Sequence, residues 1–321
     1  LTLGNQGFEV VLIEKESVLG GFSTRLHHTI EGGDVQAYLK KLIHEVTSHS
    51  KIQILTDAQV TGFGGYKGNF KTRLTIGPAK QVKEIEHGVI IVATGAVEYQ
   101  PKEYLYGRDD RVMTQVEMAD RLEKNGAEAL DTVVMIQCVG SRNEEMVECS
   151  RICCQSAVKN ALHIKQLNPD TQVYILYRDM RTYGLLEDYL TEAREKGVIF
   201  IRFDADTPPE VESTPDGIVV KTRDHILRRD VAITSNLLAL SAGMRAADTQ
   251  KLSGIMKLNA NTEGYFIEAH VKLRPVDMPG EGIFLCGTAH GPKLISESIA
   301  QAQAAASRAT TEMASSSAER P

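Results

Sequence analysis

Tryptophan is absent from this 321-residue chain and aromatic residues make up only 6% of it, which offers little to a platform that stacks sugars or single-stranded bases. No apolar run approaches the ~20 residues needed to cross a bilayer. The net charge of −6 provides no basic footprint for nucleic acid. Cysteine is scarce as well, at five residues. Four of them crowd into one segment of a large chain, which is not how the disulfides of a small secreted scaffold are spread. The opening "LTLGNQGFEVVLIEKE" reads as a helix end, a turn and a strand rather than a leader, so the cytoplasm is the expected compartment.

What is present is an alternation of strand and helix patterns long enough for two domains. Gly7 closes a helix turn ahead of the apolar strand "FEVVLIEKE", the second half of a βαβ dinucleotide unit. Its first strand and G-x-G-x-x-G turn are expected upstream of Leu1. Residues 34–46 carry helical spacing, and 51–65 alternate like strands. "NFKTRLTI" pairs with "VKEIEHG", and "GVIIVATG" has the profile of a buried parallel strand whose carboxyl end meets a ligand.

A second α/β block starts beyond Pro101, with strand "TVVMIQ", helix "CCQSAVKNALHIKQL", strand "QVYILYRD" and helix "GLLEDYLTEAREKG". The chain then returns to a strand, a glycine turn and a small-residue helix in "EGIFLCGTAHGPKLISESIAQAQAAASRA". The expected plan is α/β: two Rossmann-like dinucleotide-binding domains, the second inserted in the first. The first domain would comprise 1–105 and 236–309, the second 106–235, with a disordered tail over 310–321.

Glu14 ends the second strand, where an acidic side chain can accept from a ribose hydroxyl; it can equally face solvent. Gly20 and Gly21 leave room for close backbone approach, Thr94-Gly95 turns the chain after an apolar strand, and Gly287 precedes a helix N-terminus. In the second block, a pyridine-nucleotide domain would carry a glycine-rich phosphate cradle after "TVVMIQ". This chain has Cys138-Val139-Gly140-Ser141-Arg142 instead, a poor path for a pyrophosphate.

Cys138, Cys149, Cys153 and Cys154 form a C-x10-C-x3-C-C pattern. On one helix, 149 and 153 would share a face, Cys154 would lie ~100° round, and Cys138 would enter from the strand end. Such a set suits a [4Fe–4S] cluster. Zinc, a redox disulfide and chance placement in a buried helix remain open on spacing alone. Cys286 reads as a small buried hydrophobe. Arg178, Arg181 and Tyr183 are expected to face solvent or a partner. His290 and Lys293 either tune a nearby cofactor or simply line a loop. His27 and His28 are a weak metal candidate, and the other histidines are expected at the surface.

The "EKE…GG", "ATG" and "FLCGTA" motifs resemble those of the two-dinucleotide-domain flavoproteins, relatives of thioredoxin reductase. That resemblance implies FAD on Glu14, Lys15, Gly20 and Gly21, on Val60, on Ala93, Thr94 and Gly95, and on Gly287, Thr288, Ser296 and Gln301. "CVGSR…CSRICC…KNALHIKQLNP…VYILYRDMRTYG" further resembles the flavin-containing A subunit of heterodisulfide reductase, including short forms in sulfur-oxidising and quinone-interacting complexes. This implies an FAD-dependent electron-transfer oxidoreductase component with a [4Fe–4S] cluster on the four cysteines. Its partners would be the iron–sulfur and electron-carrier proteins of such a complex. Association with a membrane complex would run through those partners, and a homodimer stays open. The ferredoxin-type cysteine modules of many family members are missing. Two other readings stand beside it: an autonomous FAD-dependent pyridine nucleotide:disulfide-type reductase without a cluster, and a non-catalytic scaffold that holds flavin.

Overall fold

A computed structural model describes residues 1–318. The chain divides into two compact units, one of Leu1–Thr24, Gln36–Val97 and the residues from Arg245 on, the other of Arg25–Val35 and Glu98–Met244. The larger piece of the second unit, Glu98–Met244, interrupts the first along the sequence, while Arg25–Val35, expected in the first domain, falls in the second. The larger piece has its limits at 97/98 and 244/245, where 105/106 and 235/236 were expected. The strand Leu237–Ala242 explains the later limit, because it is hydrogen-bonded into the second unit's sheet.

That sheet is wholly parallel, in the order Ile199–Arg202, Gln172–Tyr177, Thr132–Val139, Leu237–Ala242, Val112–Thr114. The run "VVMI" is apolar without alternation because both faces of its strand are covered. Val133 and Met135 pack on one side with Ala157, Val158, Ala161 and Ile164 of the helix Cys153–Leu167. Val134 and Ile136 pack on the other side with Ile218 and Val220. Each such side chain contributes about 1.5–3 kcal/mol by leaving water. A buried polar ladder fixes the helix to the sheet: Asn160 Nδ2 donates to Gln115 Oε1 at 2.8 Å, and Gln115 Nε2 donates to Ser241 Oγ at 3.2 Å.

The helix Gln115–Asn125 begins in a capping box. Glu117 N donates to Thr114 Oγ1 at 3.2 Å, and Thr114 N donates to Glu117 Oε2 at 2.7 Å. An antiparallel meander of Glu210–Thr214, Gly217–Asp224 and Arg229–Ser235 completes the unit.

In the first unit, Val10–Ile13 pairs in parallel with Ile52–Leu55, and Ile90–Val92 with Ile283–Leu285. Ala58–Tyr66, Asn69–Ile76 and Gln81–His87 form a second antiparallel meander. Phe70, Val92, Phe266, Met278 and Leu285 belong to one buried cluster of this unit. Cys286 lies in an apolar cluster with Val276, Phe284, Ala305 and Ala309, as a small hydrophobe would.

The last helix runs Ile295–Ala318, so the tail expected to be disordered over 310–321 is helical as far as 318. Residues 310–318, TTEMASSSA, continue the alanine-rich helix that precedes them. Residues 319–321 lie outside the described residues. No helix among the described residues is long and apolar enough to cross a membrane.

Candidate functional site

The first unit gathers every residue expected to hold a flavin. Glu14 is half-buried at the end of its strand, and one carboxylate oxygen accepts from Glu16 N at 2.9 Å. Lys15 is exposed beside Glu16, at 3.5 Å. Gly20 and Gly21 lead into the short 3-10 turn Gly21–Arg25. Val60 flanks a register shift in its strand. Ala93 and Thr94 are exposed just past Ile90–Val92, and Gly95 lies within 3.9 Å of Thr288 Oγ1, measured from where its Cβ would be.

Gly287 has φ +68, and a Cβ there would meet nothing within 4 Å, an open cradle beside the backbone of Gly287–Ala289. Ser296 is exposed in the first turn of the final helix. Gln301, one turn and more along, donates from Nε2 to His290 Nδ1 at 2.8 Å, and His290 Nε2 contacts Glu268 Oε2 at 2.7 Å. Burial and nearby Lys293 hold His290 below the usual imidazole range.

The cysteine site of the second unit differs from its expected form. The helix starts at Cys153, so Cys149 is not on its face. Arg151, at φ +59, turns the chain the other way between them. Cys149 instead sits in a loop, where its sulfur accepts from Arg151 N at 3.3 Å. The loop has its own anchors. Asn143 Oδ1 accepts from Met146 N at 2.8 Å, Met146 is buried, and buried Ser150 Oγ accepts from Met244 N at 3.1 Å.

Cys138 and Arg142 are also left-handed, at φ 63 and 57. Three non-glycine residues in this conformation lie within one segment, each costing about 1–3 kcal/mol. Arg142 Nη1 stands 3.9 Å from Cys138 Sγ, and its Nη2 donates to Asp179 Oδ2 at 2.7 Å. The thiols of Cys153 and Cys154 point at the carbonyls of Ala242 and Asp179, at 3.6 and 3.7 Å.

None of the cysteines is in a disulfide. Burial raises the Cys138 and Cys153 thiols and pushes Cys154 to about 11. The charges of the other cysteines of the group raise all three further. Thiols raised in this way favour the protonated form, and a bound cation is what would turn them into thiolate ligands. Among the described residues no three such side chains already surround a common point as metal ligands.

Gly140, at φ +66, has no open cradle of the Gly287 kind, because the ring of Tyr99 fills the space over it. A phosphate would need that space. Arg178 Nη1 donates to Arg142 O at 2.9 Å, and Tyr183 Oη accepts from Arg151 Nε at 3.0 Å; Arg181 and Tyr183 are exposed, and Arg178 is half-buried. His27 and His28 pair with Asp120 and Glu123, not with a shared centre. Contrary to expectation, His87 is half-buried, between Thr72 and Val89. The spacing of the alternating strand "VKEIEH" carries no sign of that contact.

No family model matches the chain. It is 30% identical to the iron–sulfur A subunit of the CoB–CoM heterodisulfide reductase of Methanocaldococcus jannaschii, over 98% of this chain and 62% of that protein. It is 28% identical to the A subunit of the Ferredoxin:CoB–CoM heterodisulfide reductase of Methanosarcina acetivorans, over 96% of this chain and 54% of that one. That match extends over 437 residues, more than the chain contains, so the relative has internal segments that this chain lacks. The chain therefore spans between 54% and 62% of these two curated relatives.

Among solved structures, the thioredoxin reductase of T. acidophilum superposes with a TM-score of 0.63 at 14% identity, covering 98% of this chain and 93% of that one. The Lactococcus lactis thioredoxin reductase gives 0.61 at 16%, covering 96% and 99%. At such identities these two establish the fold. The chain is a homologue of the heterodisulfide reductase A subunits over nearly all of its own length, and it has the thioredoxin-reductase-like fold.

Proposed function

We propose that this chain is the flavin- and iron–sulfur-carrying part of an electron-transfer oxidoreductase, working within a heterodisulfide-reductase-like complex. FAD would lie in the first unit, against Glu14, Gly95 and the open backbone at Gly287. A [4Fe–4S] cluster would be held in the second unit by Cys138, Cys149, Cys153 and Cys154. When bound, a flavin exchanges electron pairs while a cluster passes single electrons, so the two together convert paired transfer into single transfer.

The protein's share is placement. The strand end and helix start place Cys138, Cys153 and Cys154, and the loop anchored through Asn143, Met146 and Ser150 carries Cys149 between them. Arg142 offers positive charge to the Cys138 sulfur. The chain's neighbours in the complex would be iron–sulfur or electron-carrier proteins.

The observation that carries this reading is the placing of four unbridged cysteines on one strand end, the loop after it and the next helix start, beside a filled glycine turn. The first favours a metal centre, and the second disfavours an autonomous pyridine-nucleotide reductase. The test is anaerobic reconstitution of the chain with iron, sulfide and FAD, followed by counts of each. About four irons and one flavin per chain are expected. Flavin without iron would overturn the cluster, and zinc retained through purification would point to a structural thiolate site instead.

A further inference from the structure

Two buried polar side chains beside the cysteine segment lack hydrogen-bond partners. Gln137, immediately before Cys138, is 2% exposed, and neither end of its amide is bonded among the described residues. Thr182 is 1% exposed, and its hydroxyl is likewise unpartnered among them. Leaving a buried amide or hydroxyl unbonded costs about 1–3 kcal/mol. Each therefore points to a partner other than these residues.

Their places in the fold put them behind the cysteines of the helix start. Side chains alternate along a strand, and Val133 and Met135 face the helix Cys153–Leu167. Gln137, two residues further on, faces the same side. There Cys153 Sγ lies 3.6 Å from the carbonyl of Ala242, which pairs with Val139 of Gln137's own strand. Thr182 is tied to the cysteine segment on both flanks. Gln155, next to Cys154, donates to the Arg181 carbonyl at 2.9 Å, and Tyr183 accepts from Arg151 at 3.0 Å. The Cys154 thiol points at the carbonyl of Asp179, three residues before Thr182. Gln137 Nε2 brings two protons and Thr182 Oγ1 brings one. The sulfurs of a cluster accept and have no proton to give, so they complement both. Gln155 also has an unpartnered buried oxygen, but that oxygen is an acceptor and a sulfur offers it nothing.

We propose that Gln137 and Thr182 donate hydrogen bonds to the sulfurs of the four-cysteine centre, Gln137 on the Cys153 side and Thr182 on the Cys154 side, and so set its reduction potential. The inference rests on the [4Fe–4S] reading above and deepens it. A donor stabilises the more negative, reduced state more than the oxidised one, so each bond makes the centre easier to reduce. Neither residue is a ligand and neither gives up its proton. Uptake of one electron changes only the strength of the two bonds.

The experiment is a potentiometric titration of the chain reconstituted anaerobically with iron, sulfide and FAD. Iron is counted first, and the reduced cluster is followed by electron paramagnetic resonance. Gln137→Met and Thr182→Val keep the approximate size of each side chain and remove its donor. In each, the ratio of reduced to oxidised cluster at a given potential is expected to fall about tenfold. For a one-electron couple that is a shift of about 59 mV to more negative potential. Thr182→Ser, which keeps the hydroxyl, is expected to stay at the parent value, and the flavin potential is expected to hold in all three. A second arm needs no cluster. In the iron-free chain the Gln137 amide has no acceptor, so Gln137→Met is expected to raise the denaturant midpoint, a gain that loss of a structural contact cannot imitate. A parent chain that takes up no iron would overturn the cluster reading itself. Full iron with unshifted potentials in Gln137→Met and Thr182→Val, or a lowered denaturant midpoint in iron-free Gln137→Met, would overturn this inference alone.

Discussion

The ring of Tyr99 occupies the place that any side chain on Gly140 would need: a Cβ there would stand 2.1 Å from Tyr99 Cδ1. Gly140 also has φ +66, so alanine meets backbone strain of about 1–2 kcal/mol and a clash of about 1–3 kcal/mol. Gly140→Ala is expected to lower unfolding free energy by about 2–5 kcal/mol, read from denaturant melts. Adding Tyr99→Ala should recover the clash and leave the strain. If the double variant instead loses the sum of both single costs, the ring is not what excludes a side chain there.

Gly287 presents the opposite case, an unusual φ with free space beside it. Gly287→Val is expected to retain the far-UV circular dichroism of the parent at a cost of about 1–2 kcal/mol in strain. Its flavin content should fall sharply. Unchanged flavin stoichiometry would remove Gly287 from the cofactor site.

His87 gives the pH dependence a direction. Its Nδ1–H donates to the Val89 carbonyl at 3.1 Å, leaving Nε2 to accept from the Thr72 hydroxyl at 2.8 Å. Burial holds its folded pKa below the ordinary imidazole value near 6.5. The unfolded chain therefore takes up the proton first as pH falls. The stability is present above about 6.5 and declines as pH drops toward the folded pKa. His163 and His290 are lowered for the same reason, so His87→Gln should make the slope between neutral and acid pH shallower without abolishing it. An unchanged slope in chemical melts at pH 5 to 8 would show that His87 is not a source of it.

Thr114 is fully buried and caps its helix. Thr114→Ala is expected to cost about 1–2 kcal/mol, measurable in the same melts. Thr114→Ser, which keeps the oxygen, should restore most of it. Equal losses in both would show that the methyl group, not the cap, matters.

The regular elements were legible wherever one period dominated. "VVMI" between two buried faces and "CCQSAVKNALHIKQL" on one helical face match the observed strand and helix. Short strands such as Val112–Thr114 and Glu210–Thr214 are too brief to show a period, and only their pairing defines them. At the cysteines, a helical spacing from 149 to 153 suggested one face. Arg151 breaks that helix through a backbone conformation invisible in residue type. Tyr99 over Gly140 was equally hidden, since the two meet only through the fold.

The central claim is that Cys138, Cys149, Cys153 and Cys154 hold a cluster that exchanges single electrons in a chain that also binds flavin. It is tested most directly by electron paramagnetic resonance of the anaerobically reconstituted chain after dithionite reduction, beside the Cys153→Ala variant. A fast-relaxing iron–sulfur signal is predicted in the parent, lost in the variant while bound flavin stays at the parent level. A parent with no such signal, or a variant that keeps it, would contradict the claim.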